Sequence, residues 1–323
     1  MDTFNSIDTK LPYIVYISNI TNIIFYNLMS NEITCAIKEA HGLTQIINIH
    51  HYSYDKKDII LSASSDSNIK LWKFRTLECF LEITKTNDKN LISACLFKDK
   101  NQYFIATAHQ LRNLIIFDIE GKQIKEFQKS VNVPKDITRK EYDNYVNGVY
   151  FMDIYFDMQS SKNYILYCGI GFLKSYGIDK GKLYQNYVKG NYGNNANNAY
   201  YHFVIWDNGI IVKLITAYSY GTIRIFNFHS AELLSEIKTD SNSKISFSSL
   251  CLWDNNYLFV TNENFSLKLI DIEKKKVIKT FPFPKESETG NGIFVKMFHH
   301  PLYGKCLLCQ HKDKTIKLWI QDN

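Results

Sequence analysis

The sequence predicts an all-β fold, a seven-bladed β-propeller of four-stranded antiparallel sheets, because one strand pattern recurs seven times along its 323 residues. The pattern is a short strand of alternating apolar residues that ends in an aromatic residue, and its clearest copies are Ile69–Trp72, Ile223–Phe226 and Ile316–Trp319. Four weaker copies end at Tyr26, Phe117, Tyr176 and Ile270. Successive copies end between 44 residues (226 to 270) and 59 residues (117 to 176) apart. A spacing in the forties, with four short strands in each unit, is typical of a propeller blade.

Each repeat is expected to contain an innermost, a second, a third and an outermost strand, in that order along the chain. In the second repeat these strands are 45–50, 59–64, 69–74 and 79–83, and Asp66-Ser67-Asn68 makes the tight turn before the third strand. Alternation of apolar and polar residues with a period of two supports a strand at each place. The first visible strands of the other repeats are 13–18, 91–97, 149–156, 202–206, 246–253 and 293–298.

The two ends of the chain are short of strands. The seventh repeat has no outermost strand after Trp319, and the first repeat has little before Leu11. We expect the segment 3–7 to supply a strand and to close the ring near the termini, since exposed sheet edges invite aggregation. The sequence leaves open which repeat this segment joins, and it allows one sheet to keep three strands. We predict a single domain over 1–323.

Charge and composition limit the classes of function that the protein can have. The net charge is +6, and the apolar fraction of 45% is ample for a large core. The one dense basic run, Lys274–Lys276, lies between two predicted strands and is expected to be a solvated turn, so nucleic-acid binding is not favoured. The N-terminus has no secretory signal, and no apolar run approaches the length of a membrane span. We therefore expect an intracellular, cytoplasmic protein.

Seven cysteines occur, an odd number, and most lie inside apolar strands, which favours reduced thiols in a reducing compartment. Cys306 and Cys309 resemble half of a zinc site and have histidines on both sides. They are three residues apart on a predicted strand, so their side chains point to opposite faces and cannot converge on one ion. We expect no metal, no cofactor and no small-molecule substrate, and the sequence contains no phosphate-binding loop and no hydrolase motif.

The repeats resemble the WD-repeat β-propeller family over almost the full chain. That family links a His before the innermost strand, a Ser or Thr on the second strand, an Asp in the tight turn and a Trp on the third strand. The second repeat matches this tetrad at His41, Ser62, Asp66 and Trp72. The seventh repeat keeps Asp313 and Trp319 but has Cys309 in place of the hydroxyl. The resemblance implies a structural role for these residues, so His41 is not expected to be a catalytic base.

We predict that the sites of function are two long connections, 128–147 and 189–200, on either side of the fourth repeat. The partner-binding residues that we predict there are basic or aromatic, because such side chains bury area and keep a polar group for hydrogen bonding. They are Lys135, Arg139, Lys140, Tyr142, Tyr145, Tyr192, Tyr200 and Tyr201. An alternative is that the Asn-rich stretch of the second connection is a low-complexity expansion without a partner.

The sequence thus predicts a non-enzymatic protein–protein interaction scaffold, a subunit of a larger assembly that binds a peptide or protein through loops on one face of the propeller. Two alternatives stay open. The first is a substrate-receptor adaptor for a modifying enzyme. The second is an enzyme whose carboxylates and histidines converge in the central channel.

Overall fold

The structure, a computed structural model, describes residues 1–84, 91–110, 113–128, 149–188, 199–239, 247–262, 266–282, 294–310 and 315–320. Within these ranges the regular elements are twenty-eight β-strands. Nowhere in these ranges is there a helix with the length and apolarity needed to cross a membrane.

The strands form seven sheets, and in each sheet the neighbours follow chain order. The first sheet contains β1 (Asp2–Asn5), β2 (Pro12–Ser18), β3 (Asn22–Asn27) and β4 (Glu32–Ile37), and a short strand β5 (Ala40–Leu43) follows it. The second contains β6 (Ile46–Tyr54), β7 (Lys57–Ser64), β8 (Ile69–Lys73) and β9 (Cys79–Ile83). The third contains β10 (Leu91–Asp99), β11 (Gln102–His109), β12 (Leu114–Asp118) and β13 (Gln123–Gln128).

The later sheets repeat this arrangement. The fourth contains β14 (Val149–Asp157), β15 (Lys162–Gly169), β16 (Phe172–Gly177) and β17 (Lys182–Asn186). The fifth contains β18 (Tyr200–Asp207), β19 (Val212–Tyr218), β20 (Thr222–Asn227) and β21 (Leu233–Lys238). The sixth contains β22 (Phe247–Leu252), β23 (Tyr257–Asn262), β24 (Ser266–Asp271) and β25 (Lys276–Pro282). The seventh contains β26 (Phe294–His300), β27 (Gly304–Gln310) and β28 (Ile316–Ile320).

The predicted fold class is confirmed, with seven antiparallel sheets at the seven predicted repeats. Among the described residues, six sheets have four strands and the seventh has three. The N-terminal strand joins the first sheet as its innermost strand, with Asp2 opposite Val15 and Asn5 opposite Pro12. It does not supply the fourth strand of the seventh sheet. It also ends earlier than the predicted 3–7, because Ser6 begins a turn in which its carbonyl accepts the N–H of Lys10 at 2.9 Å.

One predicted strand starts too early. The apolar residues of 210–218 predict the second strand of the fifth repeat from the sequence, but β19 begins at Val212. The side-chain oxygen of Asn208 accepts the N–H groups of Ile210 and Ile211 at 3.0 and 2.8 Å, and it holds both residues in the turn after β18. An asparagine side chain that bonds the backbone two and three residues later competes with strand pairing.

The chain divides into two compact units, of which the first contains the first three sheets and the second contains the last three. Parts of the fourth sheet belong to each unit, and the single-domain assignment stays a prediction. In the first unit, Phe4, Phe25 and Phe74 join the first sheet to the second, and the ring centroid of Phe74 lies 5.1 Å from those of Phe4 and Phe25. In the second unit, apolar side chains of the fifth sheet pack on those of the sixth, and those of the sixth on the seventh. All seven cysteines are free thiols.

Candidate functional site

The second sheet contains a buried hydrogen-bonded triad centred on Ser62. Its hydroxyl oxygen lies 2.8 Å from Nε2 of His41 and accepts the indole N–H of Trp72 at 2.8 Å. The three residues come from β5, β7 and β8, so the triad ties the segment before the innermost strand to the middle of the sheet. All three are buried, where an unmade hydrogen bond is costly.

The fourth residue of the expected tetrad, Asp66, does not extend this chain of hydrogen bonds. Its carboxylate accepts the hydroxyl of Ser64 and that of Thr44, and it accepts the backbone N–H of Asn68 at 3.2 Å. Within the described residues, Nδ1 of His41 has no hydrogen-bond partner. The carboxylate is occupied by Ser64 and Asn68 of its own turn and by Thr44 of the connection before β6, so the expected link between His41 and Asp66 is not formed among the described residues.

The imidazole of His41 is a weak base in the folded protein. Burial is the main cause that lowers its pKa to about 4, and the nearby Lys70 ammonium adds to the effect. The ring is therefore neutral at neutral pH. Burial alone would raise the pKa of Asp66, but the hydrogen bonds from Ser64 and Asn68 outweigh it and lower that pKa.

The seventh sheet keeps the tryptophan of the tetrad without its hydrogen bond. Cys309 faces Lys317 across the strands, as Ser62 faces Lys70, so it occupies the hydroxyl position. This thiol is fully buried, and burial raises its pKa to about 12. Nε1 of Trp319 has no hydrogen-bond partner among the described residues. Its indole instead packs against Phe281, at 5.6 Å between ring centroids. Asp313 lies outside the described residues.

Six of the eight predicted partner-binding residues lie outside the described residues: Lys135, Arg139, Lys140, Tyr142, Tyr145 and Tyr192. The other two begin β18. Tyr201 is half-buried and packs against the apolar cluster of the fifth and sixth sheets.

Tyr200 is only 2% exposed, so the structure corrects its assignment as a surface anchor. Its hydroxyl accepts a hydrogen bond from Arg224 Nη1 at 2.8 Å. The guanidinium lies 3.6 Å from the ring centroid of Tyr218, and its Nε donates to Glu236 at 2.6 Å. Because side chains alternate along a strand, the start of β18 at Tyr200 turns this tyrosine inward.

An exposed group of apolar side chains, which the sequence did not reveal, lies at two neighbouring turns of the second unit. We call Met158, Ile210 and Ile211 the apolar turn patch. Met158 is 69% exposed, Ile210 is 81% exposed and Ile211 is 44% exposed. The signal that could have identified it is Ile210-Ile211 directly after Asn208-Gly209, a turn sequence.

Hydrogen bonds hold the two turns of this patch together. The hydroxyl of Tyr155 donates to Asp207 at 2.7 Å, and the side-chain amide of Gln159 donates to the carbonyl of Gly209 at 2.6 Å. Burial and the hydrogen bond to Asp207 together raise the pKa of Tyr155 far above its usual range, so its proton stays in place. These hydrogen bonds fix the two turns, so the apolar turn patch is preorganised.

A cleft of about 380 Å³ lies between the second and third sheets of the first unit. Tyr54 and Tyr103 form its aromatic wall, with ring centroids 4.3 Å apart, and Asp55, Asp118 and Glu120 supply carboxylates. Burial, followed by the charge of Asp55, raises the pKa of Tyr54. Aromatic faces next to carboxylates suit a cationic group.

A Ser, an Asp and a His also meet where the N-terminal strand contacts the second sheet. Ser6 Oγ donates to Asp58 at 2.8 Å, and His51 Nε2 lies 2.8 Å from the other carboxylate oxygen. The carboxylate stands between the hydroxyl and the imidazole, so the imidazole is not positioned to accept the serine proton. The His51 ring stacks on Phe4 at 4.0 Å, which makes this group an anchor for β1. No cluster of three metal-binding side chains occurs within the described ranges.

Comparison with known proteins supports the fold and does not name a family. No family model matches the sequence. No curated protein matches it either. Among solved structures, the chain is similar to the β-propeller domain of Cps50 (Swd1) from Myceliophteria thermophila. The TM-score is 0.68 at 12% identity, over 99% of this chain and 95% of that one. At this identity the similarity shows a β-propeller fold.

Proposed function

We propose that the protein is a non-enzymatic protein–protein interaction scaffold and a subunit of a larger assembly. The observation that carries the proposal is the apolar turn patch, in which three large apolar side chains are exposed on two turns that side-chain hydrogen bonds tie to each other. Contiguous apolar groups on the surface of a rigid fold are typical of protein-binding sites. The β-propeller domain of Cps50 (Swd1) supports the fold on which this proposal is built.

The physical reason is that a partner would bury apolar side chains of the patch at little cost in conformational entropy. Burying an apolar side chain of this size contributes about 1.5–3 kcal/mol. Because Tyr155 and Gln159 already fix the two turns, a partner does not have to order them on binding. Met158 and Ile210 are the most exposed members, so contact with a partner would bury the most apolar area at these two residues.

The two long connections remain part of the proposal. There, Tyr142, Tyr145 and Tyr192 would be buried by the partner, with support from the positive charges of Arg139 and Lys140. The seven free thiols support a reducing, cytoplasmic location. The resemblance to WD-repeat proteins is part of this proposal as well.

The test is affinity purification from the native cell with matched variants. Ile210→Asp places a charge in the apolar turn patch, and deletion of 130–146 removes the first connection. Leu43→Asp is the control, because Leu43 is 87% exposed in β5 and lies outside the patch. We expect Ile210→Asp and the deletion each to lose specific co-purifying proteins, and Leu43→Asp to retain them. Equal recovery with all variants of unchanged thermal stability contradicts the proposal.

A further inference from the structure

The third strand of the seventh sheet, β28, has no strand on its outer edge among the described residues. In each of the other six sheets a fourth strand pairs with the third, but among the described residues none pairs with β28. A strand edge of this kind presents unpaired backbone N–H and C=O groups that another strand can bind.

The second sheet shows what a fourth strand on this edge looks like, because β8 and β28 share the sequence Ile-Lys-Leu-Trp. On β8, Ile69 faces Ile83 of β9, and Leu71 faces Leu81. Between them, the Lys70 ammonium lies 3.3 Å from the carboxylate of Glu82. The covering strand is therefore Leu81-Glu82-Ile83, antiparallel to β8.

The fifth sheet repeats this pairing with different residues. Ile223 of β20 faces Ile237 of β21, and Arg224 faces Glu236 across the same two strands. The Arg224 Nε to Glu236 Oε1 distance is 2.6 Å. An apolar pair beside a cation–carboxylate pair is thus used twice in this chain to attach a fourth strand.

The side chains of β28 show the lack of such cover. Ile69 and Leu71 of β8 are 0% exposed, whereas their counterparts Ile316 and Leu318 are half-buried. Lys317 is exposed and forms no ion pair within the described residues. The cation that would set the register of a fourth strand is present without its carboxylate.

We propose that the outer edge of β28 binds an extended segment of a partner polypeptide, in an antiparallel orientation. The segment carries an aliphatic–acidic–aliphatic triplet, with the acidic side chain opposite Lys317 and the aliphatic side chains opposite Leu318 and Ile316. Backbone hydrogen bonds supply affinity, and the charge pair selects the register. This inference deepens the proposed scaffold function, and it uses a surface other than the apolar turn patch.

Residues 1–323 offer no free segment with the matching chemistry. The segments of this chain outside the described residues contain no aliphatic–acidic–aliphatic triplet. In a second copy, Leu81-Glu82-Ile83 is already paired with its own β8, and Ile270 and Asp271 of the triplet Ile270-Asp271-Ile272 are paired on both edges of β24. A third triplet, Ala231-Glu232-Leu233, is held by the pairing of Leu233 with Phe226.

A peptide-binding experiment tests the inference on the full chain. The probe is a fluorescein-labelled octapeptide, Leu-Glu-Ser-Phe-Leu-Glu-Ile-Thr, which copies residues 77–84 with Ser in place of Cys79. Fluorescence anisotropy should show saturable binding. A probe with Lys in place of the second Glu should bind about fivefold or more weakly to the wild type. With Lys317→Glu the order of the two probes should reverse. Hydrogen exchange of the amides of 316–320 should slow when the first probe is added.

The controls separate this edge from general charge effects. Lys180→Glu changes the net charge equally at an exposed turn and should leave the order of the two probes unchanged. A probe with Pro in place of the Leu before the second Glu should not bind, since it lacks a ladder donor. The inference is overturned if the first probe does not bind, or if Lys317→Glu leaves the order of the probes unchanged. Ile210→Asp should not affect probe binding, so the failure of this inference and the failure of the apolar turn patch are distinguishable.

Discussion

The indole N–H of Trp72 donates to Ser62 at 2.8 Å, whereas the indole N–H of Trp319, in the same Ile-Lys-Leu-Trp sequence, has no acceptor among the described residues. The difference comes from one position on the neighbouring strand, where Cys309 stands in place of a serine. A thiol is a weak acceptor, so the triad of the second sheet contributes a hydrogen bond for which the seventh sheet shows no counterpart among the described residues.

Replacing Ser62 with Ala should therefore destabilise the protein by about 2–4 kcal/mol, because two buried groups, His41 Nε2 and Trp72 Nε1, lose their partner. Urea unfolding of both proteins measures the difference. Ser62→Cys copies the arrangement of the seventh sheet and should give an intermediate loss. Ser30→Ala, at an exposed turn, should change the free energy of unfolding by less than about 0.5 kcal/mol. A loss at Ser62 no larger than at Ser30 contradicts the prediction.

Stability should fall with acid through His41. Its pKa in the folded protein is about 4, below the value of about 6.5 expected for the unfolded chain. Between these values the unfolded state binds a proton that the folded state does not, so the free energy of unfolding decreases as the pH falls and the loss is complete near pH 4. Between pH 7.5 and pH 5 the contribution is about 2 kcal/mol.

Urea unfolding at both pH values checks this prediction with His41→Gln as the control. The variant cannot titrate at this position, so its stability should depend less on pH by the same amount of about 2 kcal/mol. Equal pH dependence of the two proteins would mean that the imidazole accepts a proton in the folded state as readily as in the unfolded one.

Tyr200 should behave as a core residue. Replacing it with Ala removes a side chain that is 2% exposed, together with the hydroxyl that receives Arg224. We expect a loss of about 3–5 kcal/mol in the free energy of unfolding. Tyr200→Phe keeps the ring and should lose about 1–2 kcal/mol, because the guanidinium retains Glu236 and Tyr218. An unchanged thermal melt for Tyr200→Ala would restore its assignment as a surface residue.

The sequence predicted the repeats well because the alternation within each strand is local. The copies of the strand pattern that end at Trp72, Phe226 and Trp319 lie on β8, β20 and β28, as expected. The strand joined by the N-terminal segment could not be predicted, because pairing between Asp2 and Val15 depends on register across a turn and not on either strand alone.

The site was predicted less well, for two physical reasons. The strand β18 begins at Tyr200, two residues before its predicted start at 202, so Tyr200 and Tyr201 belong to the sheet and not to the connection, and sequence patterns do not fix strand ends so closely. The apolar turn patch was missed because Ile210 and Ile211 read as the start of a strand. Only the hydrogen bonds from both residues to Asn208 keep them outside it.

The shared Ile-Lys-Leu-Trp sequence of β8 and β28 allows a prediction about the outer edge of β28. Ile69→Ala should cost about 3–4 kcal/mol, because Ile69 is fully buried and faces Ile83. Ile316→Ala, at the same position of β28, should cost less than about 1.5 kcal/mol, because a half-buried side chain is removed from an uncovered edge. Urea unfolding measures both changes. Equal losses would mean that β28 is covered to the same extent as β8 in solution, and the docking edge would then be closed.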